Sequence, residues 1–288
     1  MPRMPLASSP ALATWCSLFL LAACNGPGVV TDGGTDAGSA ADAGASDAGP
    51  SDAGAPDAGP PASCVPGDPE VVRFTTDDGL MLEGDLYLSG RMNGATAVLL
   101  HMIPPFNDRT NYPRELIDEL VRRCITVLNV DRRGAGGSEG VAADAYMGPN
   151  GALDAKGAVE YLLAHSSAPD PLRTSVVGAS NGTTTALDFM VFTVAARTLE
   201  DPAAIVLLSG GDYTENQNTI ADTSLDTIPT QFVYPESERA WNAAIEVDAP
   251  SLWQFREYTP GAHGTGVFGT NPEAVGDVAD FLEVALSP

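Results

Sequence analysis

Apolar residues recur from residue 64 onward in short runs rich in Val, Ile, Leu and Thr. These runs lie at 71–76, 81–89, 96–101, 125–131, 174–178, 203–208, 230–234 and 251–258, each of strand length. Between them, helical spacing covers 112–123, 152–164, 181–196, 236–246 and 272–286. Asp77-Asp78-Gly79 joins the first two strands and is a hairpin turn signal. Strands and helices alternate after that, the order that right-handed crossovers and a mostly parallel sheet require. Ala97-Val98-Leu99-Leu100 and the run 204–208 are apolar without interruption, as strands covered on both faces are. The pattern predicts one α/β domain over 64–288, with an eight-stranded sheet and helices on both faces.

The chain before residue 64 has a different pattern. Arg3 precedes an uncharged apolar run at 11–23. That run is too short for a helix to cross ~30 Å of hydrocarbon, so residues 1–24 read as a signal peptide. Residues 25–63 repeat Asp-Ala-Gly five times among Ser and Pro and offer almost nothing to a core. Gly and Pro interrupt helices and the aspartates repel, which predicts an extended tether. Leu21-Ala22-Ala23-Cys24 resembles the bacterial lipobox. The resemblance implies that Cys24 becomes the lipidated first residue of the mature chain. The protein would then sit in the cell envelope, at the outer membrane on its periplasmic or surface side, with no spanning helix.

Charge narrows the partners. The 288 residues carry 38 Asp+Glu against 14 Lys+Arg, a net charge of −24. The tether holds six aspartates, and residues 64–288 keep a net −19. Lys156 is the one lysine. Such a surface excludes a nucleic-acid partner, which needs clustered cations, and a basic membrane-surface helix. Cys16 leaves with the signal segment and Cys24 is the lipid site, so Cys64 and Cys124 remain. In an oxidising compartment this pair either forms a disulfide or stands as two unrelated thiols.

In a sheet of this kind chemistry collects just beyond the carboxyl ends of the strands. Gly-x-Ser-x-Gly occurs there as Gly178-Ala179-Ser180-Asn181-Gly182. Ser180 follows a β-branched strand and opens a helix, the context of a nucleophile on a strand–turn–helix bend. A second match, Gly136-Gly137-Ser138-Glu139-Gly140, lies in loop sequence with no long helix after it. A serine needs a base, and three histidines compete. His165 closes a helix, and His101 ends the third strand. His263 follows the last strand, flanked nearby by Gly261 and Gly264, which suits a loop that carries an imidazole across to the serine. The acid that orients it is sought in Pro235-Glu236-Ser237-Glu238, with Glu238 first and Glu236 second; either glutamate can instead simply begin a helix. No Cys-x-x-Cys, His-Glu-x-x-His or phosphate loop is present, so neither a metal nor another cofactor is expected.

The order serine, acid, histidine resembles the α/β-hydrolase fold, and the resemblance covers about residues 70–288. His101-Met102 stands where that family has a His-Gly turn. The loop from Asp131 to Ser138 resembles its Asp-x-Arg-Gly-x-Gly-x-Ser, and His263-Gly264-Thr265 its histidine turn. The resemblance implies a serine hydrolase of ester bonds, with an oxyanion hole from the N–H of Asn181 and of Met102 or Ile103. A peptidase or thioesterase on the same scaffold, or a catalytically dead binding protein, are the alternatives. The stretch from Gly210 to Ile228 is too short for a large cap domain, which implies an open site where Tyr213, Phe106 and Tyr146 are lining candidates. The expected partners are a small-molecule ester and a membrane through lipid alone, for a monomer.

Metabolic labelling with a palmitate analogue should tag the wild-type chain and leave Cys24→Ala unlabelled. An unlabelled wild type, or label that survives the substitution, would contradict the anchor.

Overall fold

The computed structural model describes residues 64–92, 94–165, 170–196, 199–214, 217–223 and 225–288. The signal segment with Cys24 and the tether over 25–63 lie outside the described residues.

Strands β1 (Glu70–Thr75) and β2 (Met81–Tyr87) form an antiparallel hairpin. Gly79 takes φ +85° in its turn, and its N–H donates to the Thr76 carbonyl at 2.8 Å. Glycine adopts that left-handed backbone without a Cβ penalty. The chain continues through β3 (Ala95–Leu100), α1 (Arg114–Arg122), β4 (Ile125–Val130) and α2 (Gly151–Ala164). It goes on through β5 (Thr174–Ala179), α3 (Asn181–Ala196), β6 (Ala204–Leu208), β7 (Thr230–Pro235) and α4 (Arg239–Glu246). It ends with β8 (Trp253–Tyr258), α5 (Val267–Thr270) and α6 (Glu273–Ala285).

The sheet has eight strands in the order β1-β2-β4-β3-β5-β6-β7-β8. Only β1–β2 and β2–β4 pair antiparallel; all pairs from β4 to β8 are parallel. The chain leaves β3 for β4 on one side and returns to β5 on the other. The ends of β3 and β5 therefore border the crevice where strand order reverses.

Burial explains the uninterrupted apolar strands. Ala97 and Leu99 face one core with α1 and α6, while Val98 and Leu100 face a second core with α2 and α3. On α1, Leu116, Ile117, Leu120 and Val121 make the buried stripe. Truncating such a leucine to alanine removes about 2–5 kcal/mol.

Element boundaries differ from the sequence pattern where proline and tight turns intervene. The helix expected from 112 starts at Arg114, because Tyr112 precedes Pro113 and is held extended at φ −78°, ψ 124°. The helix expected from 236 is a 3₁₀ turn over Glu236–Glu238 before α4 begins at Arg239. The short helix α5 has no counterpart among the expected elements. Between β6 and β7 only two 3₁₀ turns occur among the described residues, Ile220–Asp222 and Leu225–Thr227. No described helix is long and apolar enough to cross a membrane.

Cys64 and Cys124 are joined by a disulfide, with Cα atoms 5.3 Å apart and a sequence separation of 60. Cys124 has φ +61° just after α1, where glycine is the usual residue. The bond closes a long loop, and chain-entropy reasoning for that length gives about 4 kcal/mol of stabilisation. Reduction should lower the melting temperature by roughly 10 °C for a domain of this size. Identical melting curves for oxidised protein and for protein with both thiols shown free would contradict this.

Candidate active site

Ser180 sits between the end of β5 and the start of α3, with φ +50°. Its N–H donates to the Leu208 carbonyl at 2.8 Å, and its own carbonyl accepts from Thr183 N at 2.8 Å and Thr183 Oγ1 at 2.6 Å. The turn is tight enough to exclude side chains beside the serine. A Cβ on Gly178 would lie 2.4 Å from the Gly182 carbonyl oxygen. One on Gly182 would lie 2.3 Å from the Leu100 carbonyl oxygen. The two glycines of the motif are thus demanded by the approach of α3 to β3 and β5.

Three of the residues singled out from sequence meet here. His263, in the loop after β8, has Nε2 2.7 Å from Ser180 Oγ. Its Nδ1 lies 2.6 Å from Glu238 Oε1. A carboxylate only accepts, so Nδ1–H is the donor to Glu238, which leaves Nε2 to accept the serine proton. The second oxygen of Glu238 is buried without a hydrogen-bond partner among the described residues. Glu236 faces elsewhere: its Oε2 accepts from the Gly261 N–H at 2.9 Å and braces the turn that carries His263. Gly264 takes φ +59° and donates from its N–H to Ser209 Oγ at 2.7 Å. A Cβ there would lie 2.6 Å from Met102 Sδ, so the methionine packs beneath the histidine turn.

The other candidates are placed differently. His101 is fully buried, donates from Nδ1 to the Met102 carbonyl at 2.7 Å, and accepts at Nε2 from the Arg132 N–H at 2.9 Å. Both ring nitrogens are therefore committed to backbone. Burial, aided by the Arg132 charge, pushes the His101 pKa down to about 3 and keeps the ring neutral. His165 stands at the C-cap of α2, its ring 6.1 Å from that of Tyr161. Ser138 Oγ donates to the Asp131 carbonyl at 2.6 Å and accepts from Glu83 N–H at 2.9 Å, a strut between loop and β2. Phe106 is 85% exposed.

The backbone N–H groups of Asn181, Met102 and Ile103 make no hydrogen bond to another backbone group among the described residues. For Asn181 the reason is its position as first residue of α3, where no intrahelical acceptor exists. The macrodipole of α3 adds partial positive charge at the same point.

Two further residues border this group: Tyr213, which the sequence offers as a lining candidate, and Arg132, to which it assigns no role. Tyr213 places its ring edge-on to His263, with centroids 6.2 Å apart, and its hydroxyl donates to the Ser209 carbonyl. Burial and the Glu238 charge push its phenol up, so it stays protonated. Arg132 is fully buried beneath the turn. Its guanidinium donates to the carbonyls of His101 at 3.0 Å and Ala145 at 2.8 Å, to Asn181 Oδ1 at 3.0 Å and to Thr185 Oγ1 at 2.6 Å. Burial pulls its pKa down to about 10, which leaves it cationic at neutral pH. The Arg-Gly pattern after β4 marks a loop, but nothing local reveals that this arginine turns inward. Among the described residues no group of three or more His, Cys, Asp or Glu is placed to hold a metal ion.

The sheet order, the helices on both faces and the bend at Ser180 define the α/β-hydrolase fold. Solved structures that share it include an esterase of Pyrococcus furiosus, at 17% identity and TM-score 0.58, with 76% of this chain and 92% of that chain covered. An α/β hydrolase from a Penicillium species matches at 16% identity and TM-score 0.57, over 76% of this chain and 99% of the other. The carboxylesterase EstE1, cloned from a metagenomic library, matches at 17% identity and TM-score 0.56, over 77% and 90%. No family model and no curated protein matches the chain.

Gly182→Ala should destabilise the protein by about 2 kcal/mol or more, since neither side of the contact is a flexible side chain. Gly269→Ala, where a Cβ meets nothing within 4 Å, should be neutral or gain up to about 1 kcal/mol. Urea midpoints check both, and a Gly182→Ala midpoint equal to wild type would contradict the close approach.

Proposed function

We propose that this protein is a serine esterase that cleaves small-molecule esters through an acyl-enzyme on Ser180. The observation that carries the reading is the unbroken hydrogen-bond series from Ser180 Oγ through His263 to Glu238, with the serine on a glycine-flanked bend. Two of the similar solved structures are described as esterases, and the connection between β6 and β7 is too short to hold a large cap domain over the serine.

In this mechanism Ser180 Oγ attacks the ester carbonyl while its proton passes to His263 Nε2. Glu238 stabilises the imidazolium through Nδ1–H. The oxyanion of the tetrahedral intermediate accepts from the Asn181 N–H and from that of Met102 or Ile103. Collapse breaks the ester C–O bond, and His263 returns the proton to the departing alcohol. Water then attacks the acyl-enzyme with the same base, releasing the acid and restoring the serine. The buried Arg132 charge sits beneath Asn181 and favours negative charge at that point. A lipid on Cys24 would hold this activity at the cell envelope.

Initial rates on p-nitrophenyl acetate and butyrate test the assignment. Ser180→Ala and His263→Ala should each lower kcat by on the order of 10³-fold or more, and Glu238→Gln by about 10²-fold or more. Glu236→Gln and Ser138→Ala should stay within about fivefold of wild type if folding is intact. A Ser180→Ala enzyme with wild-type kcat would overturn the mechanism, and a larger loss in Glu236→Gln than in Glu238→Gln would overturn the choice of acid.

A further inference from the structure

A cavity of about 350 Å³ lies between α4, the start of β8 and the segment that follows β6. The indoles of Trp241 and Trp253 and the side chains of Ile220 and Ile245 make its apolar walls, and Asp212 and Asp248 also line it. It takes no part in the mechanism above. Both indoles are held before any ligand arrives. Trp241 and Trp253 pack on Phe232 with ring centroids 6.5 and 5.3 Å away. Trp253 Nε1 donates to the Leu225 carbonyl at 3.2 Å. The six-membered ring of Trp241 lies close over Gly210, where a Cβ would stand 3.0 Å from it. Rings fixed in this way lose little freedom on binding.

The chemistry of the walls selects the occupant. Neither Asp212 nor Asp248 has an ion-pair partner among the described residues. The domain around them carries net −19, so an anion is disfavoured. A hard metal ion would find two carboxylates and otherwise indole and aliphatic surface, short of the six or more oxygens it prefers. A purely apolar ligand would gain nothing from the carboxylates. A cation with an alkyl surface satisfies both features, because indole faces attract soft, weakly hydrated cations and the aspartates add charge complementarity.

We propose that this cavity is a binding site for an organic ammonium ion. The site is defined by its own walls and stands whether or not Ser180 is a nucleophile. Isothermal titration of the full chain with choline, and with its uncharged carbon isostere 3,3-dimethylbutan-1-ol, tests it. Choline should bind at least about tenfold more tightly than the alcohol. Trp241→Leu should weaken choline by about tenfold, and Asp212→Asn with Asp248→Asn together by about fivefold, with circular dichroism unchanged. Ser180→Ala should bind choline as wild type does, which separates this site from the ester chemistry. No binding of choline at 50 mM, roughly the weakest interaction a cation–π site of this kind would show, would overturn the proposal. So would equal affinity for the alcohol, or full affinity in the double aspartate variant.

Discussion

Arg132 is a cation removed from water, and its hydrogen bonds fix the relation of three chain segments. Its guanidinium reaches the carbonyl of His101 after β3, the carbonyl of Ala145 before α2, and the side chains of Asn181 and Thr185 in α3. Desolvating such a charge is costly, and it is tolerated only when almost every proton finds an acceptor and acids lie within electrostatic range. Here Asp154 and Asp188 supply that range. The same segments present the N–H groups of Met102, Ile103 and Asn181. The hub therefore sets the backbone on which the serine bend rests. His101 belongs to it as a neutral strut, one nitrogen donating to Met102 and the other accepting from Arg132 itself.

Around that hub, two left-handed backbone positions serve the meeting of Ser180 and His263. Ser180 at φ +50° and Gly264 at φ +59° lie in the left-handed region, and each is held by backbone hydrogen bonds. The histidine loop is braced at one end by Glu236 through Gly261 and oriented at the ring by Glu238. Two glutamates in one 3₁₀ turn thus do different work, one on the backbone and one on the imidazole.

Much of this architecture is legible in the sequence, for physical reasons. Parallel strands covered on both faces need continuous apolar runs, and these locate β3 and β6. The glycines around Ser180 are compulsory because α3 passes so close, which makes that motif readable. Helix starts were less legible, since Pro113 shifts α1 by excluding helical backbone at Tyr112. The choice between Glu236 and Glu238 turns on side-chain direction in a tight turn toward a partner far along the chain, and spacing alone does not carry it. The inward turn of Arg132 and the edge-on ring of Tyr213 depend on packing between segments distant in sequence. So does the tryptophan-walled cavity.

The proposed ester chemistry depends on Ser180 being the activated nucleophile. Treating the folded protein with a fluorophosphonate and mapping the adduct by mass spectrometry tests it most directly. Folded protein should carry one stoichiometric adduct on the peptide containing Ser180, absent after denaturation before treatment and strongly slowed in His263→Ala. An adduct on Ser138 or elsewhere, or none on folded protein, would contradict it.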